Sequence, residues 1–184
     1  MMIRVLALLL MIIPTIALAR DANWAQPITL AGVTNLNQVT PNIYRSAQPD
    51  LGGFANMAKA LKLKTVIDLR ESQTDSAYLG DTKIKPYYVP MNAMHISTDQ
   101  VVAVLKLIKA HEGEGPILVH CLHGADRTGV IIAMYRIIYQ GWTKSQAIDE
   151  MENGGFNFHS IFFNIPSFIN NADIPAIKAA LANN

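Results

Sequence analysis

The run from Thr128 to Tyr139 is apolar on nearly every side: Val130, Ile131, Ile132, Ala133, Met134, Ile137 and Ile138 leave no broad polar face for water. A helix of that composition has to lie inside the fold, covered all round. Before it stands Ile117-Leu118-Val119-His120, a short apolar run after Pro116 that reads as a buried strand. Only the loop Cys121 to Arg127 joins the two. A strand that feeds a central helix through so short a loop is the kernel of an α/β fold. It places the loop at the carboxyl edge of the sheet, where ligands collect in open α/β proteins.

The rest of the chain repeats the alternation. Ile43-Tyr44-Arg45-Ser46, Thr65–Leu69 and Tyr87-Tyr88-Val89 read as strands, the last stopped by Pro90. Leu51, Phe54, Met57, Ala58 and Leu61 follow helical spacing. Ser97 with Gln100 forms a capping-box pattern before a helix carrying Val101, Val102, Leu105 and Ile108 on one side, with Gly113 and Gly115 past its end. Thr143 with Gln146 does the same for a helix through Glu152, and Gly141 closes the central helix. One or two further helices fill the C-terminus, the last beginning near Asp173–Pro175. Residues 70–83 read as a loop. The predicted class is α/β, a central, partly parallel sheet flanked by helices.

Residues 1–19 stand apart. Arg4 precedes an apolar run from Val5 to Ile16, and Ala17-Leu18-Ala19 has the small-x-small form of a cleavage site. This is the pattern of a secretory signal peptide, and the run falls short of the roughly 20 residues of a membrane span. An uncleaved N-terminal anchor is the alternative. The expected organisation is a signal peptide at 1–19, a lead segment at 20–42 and a catalytic domain at 43–184. The chain has 15 Lys+Arg and 14 Asp+Glu, and Arg4 is the one charged residue of 1–19, which leaves 14 of each sign. A balanced chain lacks the general attraction for nucleic acid or anionic lipid that a basic one has. The expectation is an exported, periplasmic monomer with no stable membrane anchor after cleavage.

The one cysteine of the chain, Cys121, opens the loop, and Arg127 ends it in a C-x5-R spacing. No intramolecular disulfide is possible. A lone thiol in an oxidising compartment is either buried and inert or reactive for a purpose, and its surroundings favour the second. Gly124 sits in mid-loop, where the backbone must bend and come close to a ligand. The amides of Leu122, His123, Gly124, Ala125, Asp126 and Arg127 lead into a helix and can form a nest for an oxyanion at the positive end of the helix dipole. Arg127 adds a planar fork for two phosphate oxygens. Cysteines in such fields titrate at about 3.5–7.5 rather than about 8.5, and a thiolate facing a phosphoryl group is a nucleophile.

His120-Cys121-x-x-Gly124-x-x-Arg127-Thr128-Gly129 resembles the signature loop of the cysteine-dependent tyrosine and dual-specificity phosphatases, closest to the small exported bacterial members. Tyr44–Pro49, Thr65–Arg70 and Tyr135–Trp142 support the likeness, which covers roughly residues 40–160. The resemblance implies phosphate monoester hydrolysis through a phosphocysteine on Cys121. Arg127 would bind the phosphate and the transition state, Thr128 would hydrogen-bond the sulfur, and His120 would sit behind the loop. It implies no metal and no organic cofactor; the H-x-x-H spacing of His120 and His123 lacks a third ligand. The partner it implies is a phosphorylated protein or a small phosphate ester.

The family takes its acid from an aspartate in a loop upstream of the cysteine. Here that loop is Pro90–Ser97, which has no carboxylate and carries Met94 at the expected place. Asp126, inside the signature loop, is the leading substitute, with a structural pairing as the alternative. Asp99 in a helix first turn, His95 beside Met94, and the more distant Asp68 and Glu71 follow. Arg45 and Ser46 either brace the loop or pin a turn, and Trp142 and the Phe156–Phe163 cluster read as core. Two other functions stay open: a catalytically weak module that binds phosphoproteins, and an inositol polyphosphate phosphatase. Ala125, where lysine is frequent in the latter, argues against it.

Overall fold

The computed structural model describes residues 20–72 and 74–183; the expected signal segment at 1–19 lies outside them. Six strands form one sheet: β1 (Gln26–Pro27), β2 (Asn37–Thr40), β3 (Ile43–Ser46), β4 (Thr65–Asp68), β5 (Lys85–Tyr88) and β6 (Ile117–His120). Their spatial order is β1-β2-β3-β6-β4-β5. β3, β6, β4 and β5 are mutually parallel, while β1 and β2 extend the β3 edge in antiparallel fashion. The lead segment therefore supplies two strands of the same sheet.

Among the described residues six helices flank it: α1 (Leu51–Ala60), α2 (Thr98–His111), α3 (Asp126–Gln140), α4 (Lys144–Asn153), α5 (Asn164–Asn171) and α6 (Ile174–Ala182). The strands alternate their side chains between two cores. Tyr44, Val66 and Leu118 face Phe54 and Met57 of α1, while Ile43, Ile67, Ile117 and Val119 face α2 through α6. The helix α3 is covered as its sequence requires, with an unbroken buried run from Thr128 to Ile138, and Gly141 closes it in the left-handed conformation at φ 72°. Ser97 and Thr143 form the two capping boxes.

Three expectations shift. The strand near Tyr87 is Lys85–Tyr88, on the sheet edge, where Pro86 lacks an N–H that no neighbour would use. Val104 rather than Val102 joins the buried stripe of α2. The segment read as loop, 70–83, contains a short 3-10 turn at Asp75–Ala77. The register aligns Ser46, His120 and Asp68 across β3, β6 and β4. Three parallel strands thus end level, and the loop 121–125 leaves from the middle one.

Candidate active site

The loop from Cys121 to Ala125 is fixed by its carbonyls. The Cys121 carbonyl lies 3.2 Å from His120 Nδ1, the Leu122 carbonyl accepts from the Gln48 amide at 3.2 Å, and that of His123 from Asn35 Nδ2 at 3.0 Å. The Gly124 carbonyl accepts from Arg45 Nη2 at 2.8 Å, and that of Ala125 from the Gly129 amide at 2.8 Å. A peptide unit is planar, with its N–H opposed to its C=O. Five successive carbonyls held by the surrounding protein therefore turn the amides of residues 122–126 to the other side. No side chain caps α3 at Ala125, which leaves its first-turn N–H groups available to an anion. Cys121 is a free thiol, 1% exposed, at the start of this ring.

Gly124 has φ +69°, and a Cβ there would overlap the carbonyl carbon and oxygen of Ser46. Its required close approach is therefore to the backbone of β3, not to a ligand. Arg45 is fully buried and stacks at 3.7 Å from the centroid of the Phe156 ring. Burial pulls its guanidinium down to about 10, with the negative charge of Glu150 acting against that pull. It stays cationic at neutral pH, and a fixed positive charge behind the loop attracts an anion in front of it. Arg45 braces the loop, whereas the Ser46 hydroxyl donates to the Ala47 carbonyl and Ser46 meets the loop only through its backbone.

Behind β6 lies a buried polar cluster. His120 Nε2 is 2.7 Å from Asp75 Oδ2. Arg70 donates to Asp68 through Nε at 3.0 Å and Nη2 at 2.9 Å, and to Asp75 Oδ1 at 3.1 Å. Burial alone would lower the Arg70 guanidinium; its bonds to Asp68 and the charges of Asp68 and Asp75 outweigh that and hold it above its ordinary value. Ligand-type atoms of Asp68, Asp75 and His120 lie within 4.8 Å of one another, and the Arg70 guanidinium supplies the cation that the two carboxylates share. Asp75 was invisible in the sequence, set in a polar stretch with no motif. Only its contact with His120, 45 residues away, reveals it.

Among the other expected residues, Arg127 is half-buried and donates from Nη1 to the Met91 carbonyl at 3.4 Å, which ties the signature loop to the segment 90–97. Thr128 is buried and its hydroxyl has no hydrogen-bond partner among the described residues, so the expected bond to the sulfur is not formed here. His120 packs edge-on against Phe54 while His123 packs against His159, so the two imidazoles take separate neighbours. Met94 is 51% exposed. Phe156 is core, but Phe163 is 75% exposed, contrary to its expected burial. Asp126 is in a structural pairing, with His159 as the partner: Oδ1 accepts from the His159 amide at 2.9 Å and Oδ2 lies 2.8 Å from His159 Nδ1. Both carboxyl oxygens are engaged by one residue of the 155–163 segment.

A buried thiol at the end of a central parallel strand, a ring of inward amides and an arginine at the following helix form a cysteine-centred cradle with the chemistry to receive an oxyanion. The sequence profile described as the tyrosine phosphatase family matches residues 32–183. The chain belongs to this family.

Among its relatives is the dual specificity protein phosphatase TpbA of Pseudomonas aeruginosa, 36% identical over 167 residues, 91% of this chain and 75% of that one. The TpbA crystal structure superposes with a TM-score of 0.80 at 35% identity, covering 89% of this chain and 99% of that one. The inositol diphosphatase SIW14 of Saccharomyces cerevisiae is 30% identical over 130 residues, 66% of this chain and 46% of that one. The structure of its core catalytic domain gives a TM-score of 0.71 at 29% identity, covering 82% of this chain and 93% of that one.

Proposed function

We propose that this chain cleaves phosphate monoesters by transferring the phosphoryl group to Cys121, with phosphotyrosine-like esters as its preferred substrates. The carrying observation is the loop itself, whose five carbonyls are all held by the surrounding protein while the thiol and Arg127 stand at its two ends. The amides of 122–126 and the Arg127 fork would hold the three non-bridging oxygens. The Cys121 sulfur lone pair forms the S–P bond as the P–O bond to the leaving group breaks, its electron pair going to that oxygen. Water then attacks phosphorus, the S–P pair returns to sulfur, and phosphate departs. The Thr128 hydroxyl, buried and without a partner, is the donor at hand for the sulfur as it leaves.

The preference for an aryl ester is supported by Leu122, 51% exposed beside the mouth of the site, which offers apolar surface to a ring rather than charge to a polyanion. A TpbA variant has been solved in complex with pTyr, which supports the same choice. The likeness to SIW14 supports a second reading, an inositol phosphate substrate. The proposal extends to location: residues 1–19 have the form of a signal peptide, and the protein is exported to the periplasm as a monomer. N-terminal sequencing of a periplasmic fraction should find Arg20 first; retention of residues 1–19 would refute export with cleavage.

The central test is phosphate release by residues 20–184 from p-nitrophenyl phosphate, phosphotyrosine peptides and inositol phosphates, with Cys121→Ser alongside. Wild type should turn over the aryl esters fastest and Cys121→Ser should be inert. Equal rates for the two proteins would overturn the covalent reading. Tight phosphopeptide binding without turnover would mark a binding module instead, and a strong preference for inositol phosphates would replace the proposed substrate.

A further inference from the structure

The segment Pro90–Ser97 lacks the carboxylate that would protonate a leaving oxygen, yet the site is not without one. Arg70, Glu71 and Ser72 on one side, and Leu122 and Arg127 on the other, line a cleft of about 310 Å³. Glu71 is the one carboxylate among those five residues. It follows β4 at the same sheet edge as the signature loop, since β4 pairs with β6 in parallel.

Its position is specified from two sides. Asn92 Nδ2 donates to Glu71 Oε1 at 2.9 Å, and the Glu71 carbonyl accepts from the Tyr88 hydroxyl at 2.5 Å. Asn92 is itself held, because its Oδ1 accepts from the Met94 amide at 2.8 Å and its carbonyl from the His95 amide at 3.0 Å. The adjacent Met91 carbonyl accepts from Arg127. So the loop that carries Met94 in place of an acid presents an amide, and that amide orients a carboxyl group from the neighbouring loop. One carboxyl oxygen is engaged by Asn92, which leaves Oε2 to carry a proton.

The competing acids are committed elsewhere. Asp68 is bound by Arg70, Asp75 by Arg70, Gln48 and His120, and Asp126 by His159. Asp99 is an exposed residue in the first turn of α2, where a carboxylate complements the helix dipole. His95 is exposed and closes the turn with Asn92.

We infer that Glu71 is the proton donor of this phosphatase and that Asn92 is its positioning residue. The inference rests on the phosphocysteine reading above. As the P–O bond breaks, the Oε2–H proton passes to the departing oxygen, giving a neutral alcohol and a Glu71 carboxylate. In the second half that carboxylate takes one proton from the attacking water as the S–P bond breaks, which restores the acid and the thiolate.

The test is a leaving-group series, from p-nitrophenyl phosphate through phenyl phosphate to alkyl phosphates, on wild type, Glu71→Gln, Asn92→Ala and Cys121→Ser. A general acid contributes about 10²–10⁴-fold, realised when the leaving oxygen is basic. Glu71→Gln should lose about 100-fold or more on alkyl phosphates and less than about tenfold on p-nitrophenyl phosphate, steepening the dependence of rate on leaving-group pKa. Asn92→Ala should steepen it in the same direction by a smaller amount. Glu71 is exposed and lies outside helix and strand, so the unfolding midpoint should not move. A Glu71→Gln slope equal to that of wild type, with Cys121→Ser inert, overturns the role of Glu71 alone. Turnover by Cys121→Ser, or a wild type inert on the whole series, overturns the covalent reading beneath it.

Discussion

Replacing Gly124 by alanine tests whether the loop is shaped by its seat on β3. Two costs are separable. Gly124 has φ +69°, so any L side chain is strained, at about 1 kcal/mol for a left-handed residue. In addition the new Cβ would overlap the Ser46 carbonyl, a backbone group that cannot swing aside as a side-chain tip would. Forcing extra volume into a packed site costs about 1–3 kcal/mol, so the total is about 2–4 kcal/mol. Gly141 supplies the control, with φ +72° and no heavy atom within 4 Å of the place a methyl group would take; Gly141→Ala should cost only the first part, about 1 kcal/mol. At about 2–4 °C per kcal/mol for a domain of this size, melting should fall roughly 4–16 °C for Gly124→Ala and 2–4 °C for Gly141→Ala. The catalytic readout separates them further. Moving residues 122–126 off their anchors misplaces the amide ring, and kcat/KM on p-nitrophenyl phosphate should drop by about 10² or more, the scale of losing one oxyanion donor. Gly141→Ala should keep wild-type kcat/KM. If the two variants lose the same stability and Gly124→Ala keeps its activity, the contact with Ser46 does not set the loop.

Two further substitutions probe the supports around it. Glu150→Gln leaves Arg136, which donates to Glu150 at 2.7 and 2.9 Å inside the protein, without its counter-charge; breaking a buried pair on one side costs about 3–5 kcal/mol, and a urea titration should show that loss with activity per folded molecule retained. A loss below about 1 kcal/mol, the scale of an exposed pair, would mean the pair does not offset its burial cost. Asp126→Asn weakens the tie to His159 and should slow aryl and alkyl phosphates by the same factor. A selective loss on alkyl phosphates would restore Asp126 as the acid and count against Glu71.

Much of this protein is written locally in its sequence. The all-round apolar composition of 128–138 requires a central helix, the β-branched and apolar residues at 43–44, 65–67 and 117–119 mark strands, and the Ser97 and Thr143 boxes mark helix starts by local hydrogen bonds. The signature from His120 to Gly129 announces a phosphate cradle because the glycine, the helix start and the arginine act within one short loop. The supporting residues are of another kind. Arg45 reaches Gly124 across 79 positions, Asn35 reaches His123 across 88, and Asp75 reaches His120 across 45. Asn35 and Asp75 have no local pattern to betray them, and Arg45 could be read only as bracing the loop or pinning a turn, since their partners are set by strand order. The same holds for the acid. The family pattern pointed to the loop at Met94 and the signature loop offered Asp126, while Glu71 stood only among the more distant candidates. Only the parallel packing of β4 beside β6 brings Glu71 to the cleft with Arg127. Local chemistry singled out the thiol and its cradle. Tertiary structure decided what holds the cradle and which carboxyl group faces it, because those depend on contacts that exist only once the sheet has formed.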